Sequence, residues 1–96
     1  MATLRWTAEA VRWLEEIHDY IARDNPDAAH RTVSGIYDRA QVLATFPEIG
    51  QRYHAKPEVR MLLHGRYRVA YSLAEGDVVE ILGIFHDALP IEQYLR

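Results

Sequence analysis

The sequence contains no cysteine. That absence removes disulfides, thiolate nucleophiles and cysteine-ligated zinc together, and it fits a reducing compartment. The chain also lacks any run near the roughly 18 apolar residues that a membrane span requires. Its start, Met1-Ala2-Thr3-Leu4-Arg5-Trp6, has no apolar core of the signal-peptide kind. A cytoplasmic location with no membrane association is therefore expected. No glycine cluster has the form of a phosphate-binding loop. His18, His30, His54, His64 and His86 form no pair at metal-ligand spacing, so neither a metal nor a cofactor is expected. Ser34 lies in a helical pattern and Ser72 in a strand pattern, neither of them a nucleophile elbow. Positive charge is short as well. Eleven Lys and Arg face 14 Asp and Glu, for a net charge of −3, which argues against an obligate nucleic-acid binder.

What is present suits one small globular domain over residues 1–96. Hydrophobic residues make up 49% and charged residues 26%, far from the composition of disorder. A domain of this size buries a modest share of its surface, so its stability is expected to be marginal and to lean on a partner. The charge is unevenly spread. Between Arg52 and Arg68 the chain carries Arg52, Lys56, Arg60, Arg66 and Arg68 against Glu58 alone, a local net charge of +4 on an acidic protein.

Hydrophobic periodicity sets the elements. Thr3 to Trp6 reads as a short strand, and Thr7 is a good N-cap for a helix over about Ala8 to Arg23, where Val11, Leu14, Ile17 and Ile21 form one stripe. Asn25-Pro26 restarts the chain as a second helix, with Ala29, Val33, Ile36, Ala40 and Leu43 in register, until Pro47 and Gly50 end it. Gly35, in the middle of that helix, is expected to allow close approach of the first helix. Gly50 to Glu58 reads as a polar, basic loop. Beyond it the period changes to two: Val59 to His64, Arg66 to Leu73, and Val78 to Phe85 read as strands. The last is apolar on both faces apart from Glu80 and is expected to be central in the sheet. Pro90 to Leu95 reads as a short C-terminal helix. The order gives an α+β domain: an N-terminal strand, then an antiparallel helical hairpin packed on one face of a mostly antiparallel sheet of about four strands.

In order and spacing, five segments resemble the RelE/ParE toxins of type II toxin-antitoxin systems. They are Tyr20-Ile21-Ala22 with Asp24-Asn25-Pro26, Phe46-Pro47-Glu48-Ile49-Gly50, Val59-Arg60, Tyr67-Arg68-Val69-Ala70-Tyr71, and Val79 through His86. The resemblance covers nearly the whole chain. It implies a toxin neutralised by a cognate antitoxin in a hetero-oligomer, meeting operator DNA only through that antitoxin. It leaves two activities to weigh: inhibition of DNA gyrase in the ParE branch and ribosome-dependent mRNA cleavage in the RelE branch. A third possibility is an inactive toxin that serves only antitoxin binding and autorepression.

RNA cleavage through the 2′-hydroxyl needs a base, an acid and cations around one phosphate. In the nuclease reading the resemblance assigns these roles to Arg60, Arg68 and His86, with Arg60 expected on the same open face as Arg68. RelE-type enzymes usually follow the strand-end histidine with a basic residue, whereas here Asp87-Ala88-Leu89-Pro90 follows His86. That departure favours the ParE branch, in which Arg60, Arg66, Arg68 and His86 are expected to bind the target and no residue is catalytic. Tyr94 occupies the place of a base-stacking tyrosine of the nuclease branch, yet shares helical spacing with Ile91 and Leu95, which suits packing better. Arg52, His54 and Lys56 form the basic loop, open either to contact with a partner or to simple solvation.

Overall fold

Thr7 anchors the first helix in two ways. Its Oγ1 accepts the Ala10 N–H at 3.2 Å, and its hydroxyl donates to the Ile81 carbonyl at 2.7 Å, which ties the helix cap to the sheet. The computed structural model describes residues 1–86. Its elements run β1 (Thr3–Trp6), α1 (Ala8–Ala22), α2 (Pro26–Gln41), a 3-10 turn (Val42–Ala44), β2 (Gln51–Tyr53), β3 (Lys56–His64), β4 (Tyr67–Ala74) and β5 (Val78–His86). Asn25 Oδ1 accepts the Ala28 N–H at 3.0 Å, and Pro26 follows it where a missing N–H costs nothing. The C-terminal helix expected over Pro90–Leu95, and Tyr94 with it, lie outside the described residues.

The architecture is the expected α+β arrangement with one more strand. The sheet order is β1-β5-β4-β3-β2, with β1 parallel to β5 and every other pair antiparallel. β5 is internal, as its apolar faces predict. The added strand is β2, which falls in the stretch read as a loop: Gln51 pairs with Met61 and Arg52 with Arg60. Three polar residues on a sheet edge carry too little alternation to register as a strand.

On the helix side, Ala10, Ile36 and Leu43 meet Leu62, Val69, Tyr71, Val79, Ile81 and Ile84, with Trp6, Leu14 and Ile17 at the margin. Burial of an aliphatic or aromatic side chain of this kind stabilises by about 1.5–3 kcal/mol. A bulge adjusts β5 to this core. Tyr71 pairs with Ile81 but Ala70 with Gly83, so Leu82 is the extra residue, and Ile81 and Ile84 both reach the helix side despite their spacing. The opposite face holds a smaller cluster of Val59, Ala70 and Phe85, backed by Tyr53, Met61 and Leu82. Trp13 of α1 joins both clusters, its ring 5.2 Å from that of Phe85.

Gly35 serves a neighbour other than the expected one. A Cβ there would lie 3.1 Å from His64 Nε2, so the close approach is by a β3 side chain and not by α1. Sequence periodicity could not show this, because it depends on how α2 lies across β3.

Candidate functional site

The hairpin between β3 and β4 decides where the basic residues go. His64 pairs with Tyr67 across Gly65-Arg66, with Gly65 at φ +58°, the backbone that the first central position of a tight hairpin needs. From that turn the register runs Leu63 with Arg68, Leu62 with Val69, Met61 with Ala70 and Arg60 with Tyr71. Side chains alternate along a strand, so Arg60 lies with Leu62, Val69 and Tyr71 on the helix side, and Arg68 lies on the opposite face between Leu63 and Phe85. The expectation that Arg60 and Arg68 share an open face is therefore wrong. Its source is the length of the turn: strands read as Val59 to His64 and Arg66 to Leu73 leave Gly65 alone between them, whereas the pairing of His64 with Tyr67 leaves two residues in the turn.

Arg60 is committed to the backbone. Its Nη1 donates to the carbonyls of Glu48, at 3.1 Å, and Gly50, at 2.9 Å, while the Gly50 N–H donates to the Tyr71 hydroxyl at 2.9 Å. A Cβ on Gly50 would come within 2.7 Å of the Tyr71 ring, so only glycine allows this clamp on the loop after α2. Burial raises the Tyr71 pKa; the Gly50 hydrogen bond and the nearby Arg60 charge work against that shift. Tyr67 is raised by burial alone.

His86 ends β5 opposite Tyr67, with the two rings edge to face at 5.3 Å. It lines a largely apolar groove of about 500 Å³ with Trp13, Ile17, Tyr20, Ile21 and Tyr67. Tyr67 and Tyr71 are four residues apart on β4, so His86 and Arg60 are separated by roughly 13 Å along the strand alone. Arg60, Arg68 and His86 thus occupy three separate places. Arg66 is exposed in the hairpin turn.

A different grouping does form, at the edge of the sheet. β2 accompanies β3 only as far as Met61, and beside Leu62 and Leu63 a cleft of about 440 Å³ opens. Arg52, His54 and Arg68 line it with Arg39 of α2, whose Nε donates to the Leu63 carbonyl at 3.2 Å. Lys56 pairs with Tyr53 and stands outside this lining. Sequence reasoning missed Arg39. The one available signal is its place beside Ile36, Ala40 and Leu43, at the border of the buried stripe of α2.

Residues 4–88 match the family described as the ParE toxin of type II toxin-antitoxin systems, parDE. The chain belongs to the ParE toxin family. Among relatives of this ParE-family protein, the putative toxin Y4kP of Sinorhizobium fredii is 37% identical over 84 residues, covering 86% of this chain and 85% of the relative. Toxin RelE2 of Caulobacter vibrioides is 34% identical over 88 residues, covering 92% and 98%. In shape, the ParE-family chain is similar to a chain of the chromosomal ParDE toxin-antitoxin system of P. aeruginosa, with a TM-score of 0.77, 25% identity, and coverage of 90% and 96%. It shares its fold with a chain of the RelBE2 toxin-antitoxin complex of Mycobacterium tuberculosis at a TM-score of 0.70, with 22% identity over 88% of this chain and 96% of that one. The protein is thus a toxin of the type II toxin-antitoxin class. No helix among the described residues is long and apolar enough to cross a membrane.

Proposed function

We propose that this ParE-family toxin acts by binding and not by cutting: it inhibits DNA gyrase and is held inactive by a cognate antitoxin. The observation that carries this reading is the dispersal of Arg60, Arg68 and His86. Cleavage of RNA requires its acid, base and cations around one phosphate. Here one arginine is spent on loop carbonyls, another lies on the opposite face, and the histidine packs on Tyr67. Docking makes no such demand. It needs exposed anchors on a rigid frame, which the clamped loop with its exposed Phe46 and Ile49 supplies. The apolar groove beside α1, with its exposed Tyr20, is a surface suited to an antitoxin segment.

The test is a pair of assays on the purified toxin. Loss of gyrase supercoiling or accumulation of gyrase-bound cleaved DNA is expected, with ribosome-bound mRNA intact by primer extension. Cuts that appear only with ribosomes would reverse the reading in favour of a RelE-like endonuclease. Excess cognate antitoxin should raise the thermal midpoint by mass action and abolish gyrase inhibition.

A further inference from the structure

The loop after α2 turns two large apolar side chains to solvent and yet is held firmly. Phe46 is 59% and Ile49 50% exposed, and both line a hollow of about 420 Å³ with Thr45, Pro47 and Glu48. The backbone around them is fixed by hydrogen bonds. The Phe46 N–H donates to the Val42 carbonyl at 2.9 Å, the Ile49 N–H to the Phe46 carbonyl at 3.2 Å, and the Gly50 N–H to the Tyr71 hydroxyl at 2.9 Å. Arg60 Nη1 completes the set with its bonds to the Glu48 and Gly50 carbonyls. A loop whose apolar tips stand in water gains little from such fixing. A docking loop gains directly, because order settled in advance is not lost on binding, and a few large side chains seated in a partner carry most of an interface's energy.

The hollow states the chemistry of its occupant. Its one charged lining residue is Glu48, which is exposed and, among the described residues, is in no ion pair. Arg60 bonds to the Glu48 carbonyl and leaves the carboxylate open. That charge repels the phosphates of a nucleic acid, which bind through lysine and arginine. A protein surface with an apolar side chain for the hollow and a lysine or arginine for Glu48 uses both features. The apolar groove beside α1 lies apart from this loop. Tyr67 in the groove and Tyr71 under the loop are roughly 13 Å apart along β4, so a segment in the groove leaves the hollow open.

We infer that the loop carrying Phe46 and Ile49 is the surface by which the toxin docks on its target enzyme, taking an apolar side chain of the target into the hollow and a basic one on Glu48, with Arg60 as the positioning residue. The inference rests on the docking reading, and on gyrase only for the partner's identity. It is tested on full-length variants by growth arrest on induction, thermal midpoint, and affinity for purified gyrase and for the cognate antitoxin. The Phe46→Ser, Ile49→Ser double variant, at exposed positions that spare the fold, is expected to lose toxicity and on the order of thirtyfold in gyrase affinity, with midpoint and antitoxin affinity kept. Glu48→Lys is expected to weaken gyrase binding on the order of tenfold. Arg60→Gln is expected to weaken it with the anchors intact, and Arg60→Lys to restore it, since both carbonyl bonds come from one nitrogen. Val11→Ser, an exposed apolar position on α1, is expected to stay toxic. Toxicity kept in the double variant would overturn the inference. Loss of its antitoxin affinity would overturn it by assigning the loop to the antitoxin, and loss of a wild-type dimer by assigning it to a second copy. Toxicity lost in the double variant while wild-type toxin leaves gyrase unbound would keep the surface and discard gyrase as its partner. A wild-type chain that arrests no growth would overturn both.

Discussion

Under α1 and α2 the sheet buries Val69, Tyr71, Val79, Ile81 and Ile84 completely. On the face turned away, Val59, Ala70 and Phe85 are nearly as buried, yet among the described residues Trp13 alone reaches them from the helices. Among the described residues the rest of its cover comes from the sheet itself, from Tyr53, Met61 and the extra residue Leu82. The difference separates structure from recognition. Residues that look catalytic in the sequence, Arg60 and His86, lie on the helix side and are taken up by a loop clamp and a ring contact. Arg68, which among the described residues has no such engagement, lies on the second face with Met61 and Leu63 and lines the edge cleft.

The contrast between faces breaks if both respond alike to cavities. Ile81→Ala, beneath the helices, is expected to cost about 2–5 kcal/mol, because packed neighbours cannot close the space. Met61→Ala, half-buried on the other face, is expected to cost less than about 2 kcal/mol. Chemical denaturation of both variants gives the two numbers, and equal losses would mean that the second face is packed as tightly as the first. Function sharpens the same contrast. Arg68→Ala should weaken target affinity by about 1–3 kcal/mol, whereas His86→Ala should remain toxic on induction, since no proton moves in a docking mechanism. Antitoxin pull-down separates these effects from misfolding, and loss of toxicity in His86→Ala with antitoxin binding kept would point back to nuclease chemistry.

A smaller effect belongs to the tyrosines. Burial raises the pKa of both Tyr67 and Tyr71, so the fold favours their neutral hydroxyls. The unfolded chain ionises first, near the ordinary tyrosine value of about 10, and it then holds fewer protons than the folded chain. Their contribution is therefore complete below about pH 10 and is lost as pH rises through the higher folded values. The thermal midpoint should fall with that onset, and less steeply in Tyr71→Phe. At neutral pH that variant should lose about 1 kcal/mol with the Gly50 hydrogen bond. The smallest change concerns Gly35. In a His64→Ala background, Gly35→Ala should stabilise by about 0.5–1 kcal/mol from helix propensity alone. With His64 present the 3.1 Å approach should cancel most of that gain. A full gain in both backgrounds would show that the imidazole moves aside freely.

The helical stripes and the doubly apolar β5 were legible because each repeats often enough to define a period. Ile36 and Leu43 are buried where the stripe of α2 puts them. β2 was not legible, having three residues of which Tyr53 alone is partly buried. The division of Arg60 from Arg68 was within reach of the sequence, since it follows from alternation once the turn is given its two residues, Gly65-Arg66, and a turn one residue shorter exchanges the faces. Leu82 as a bulge and Arg39 as a wall of the cleft were beyond reach. One depends on pairing with β4, the other on the way α2 docks over β3, and neither leaves a local trace in the chain.

The parallel pairing of β1 with β5 sets an order of events during synthesis. Thr3 finds its sheet partner in Val78 and Leu4 in Val79, while Thr7 caps α1 partly through the Ile81 carbonyl. The first strand emerges from the ribosome long before the strand it needs, and the helical hairpin must wait for a floor that is made last. Closing contacts so far apart in sequence delays folding until nearly all of the described chain is free. A nascent chain stopped before Val78 leaves β1 without its partner and β4, the strand that carries Arg68, at an open edge of the sheet. The topology ties assembly of the toxin fold to the synthesis of β5, the last described strand.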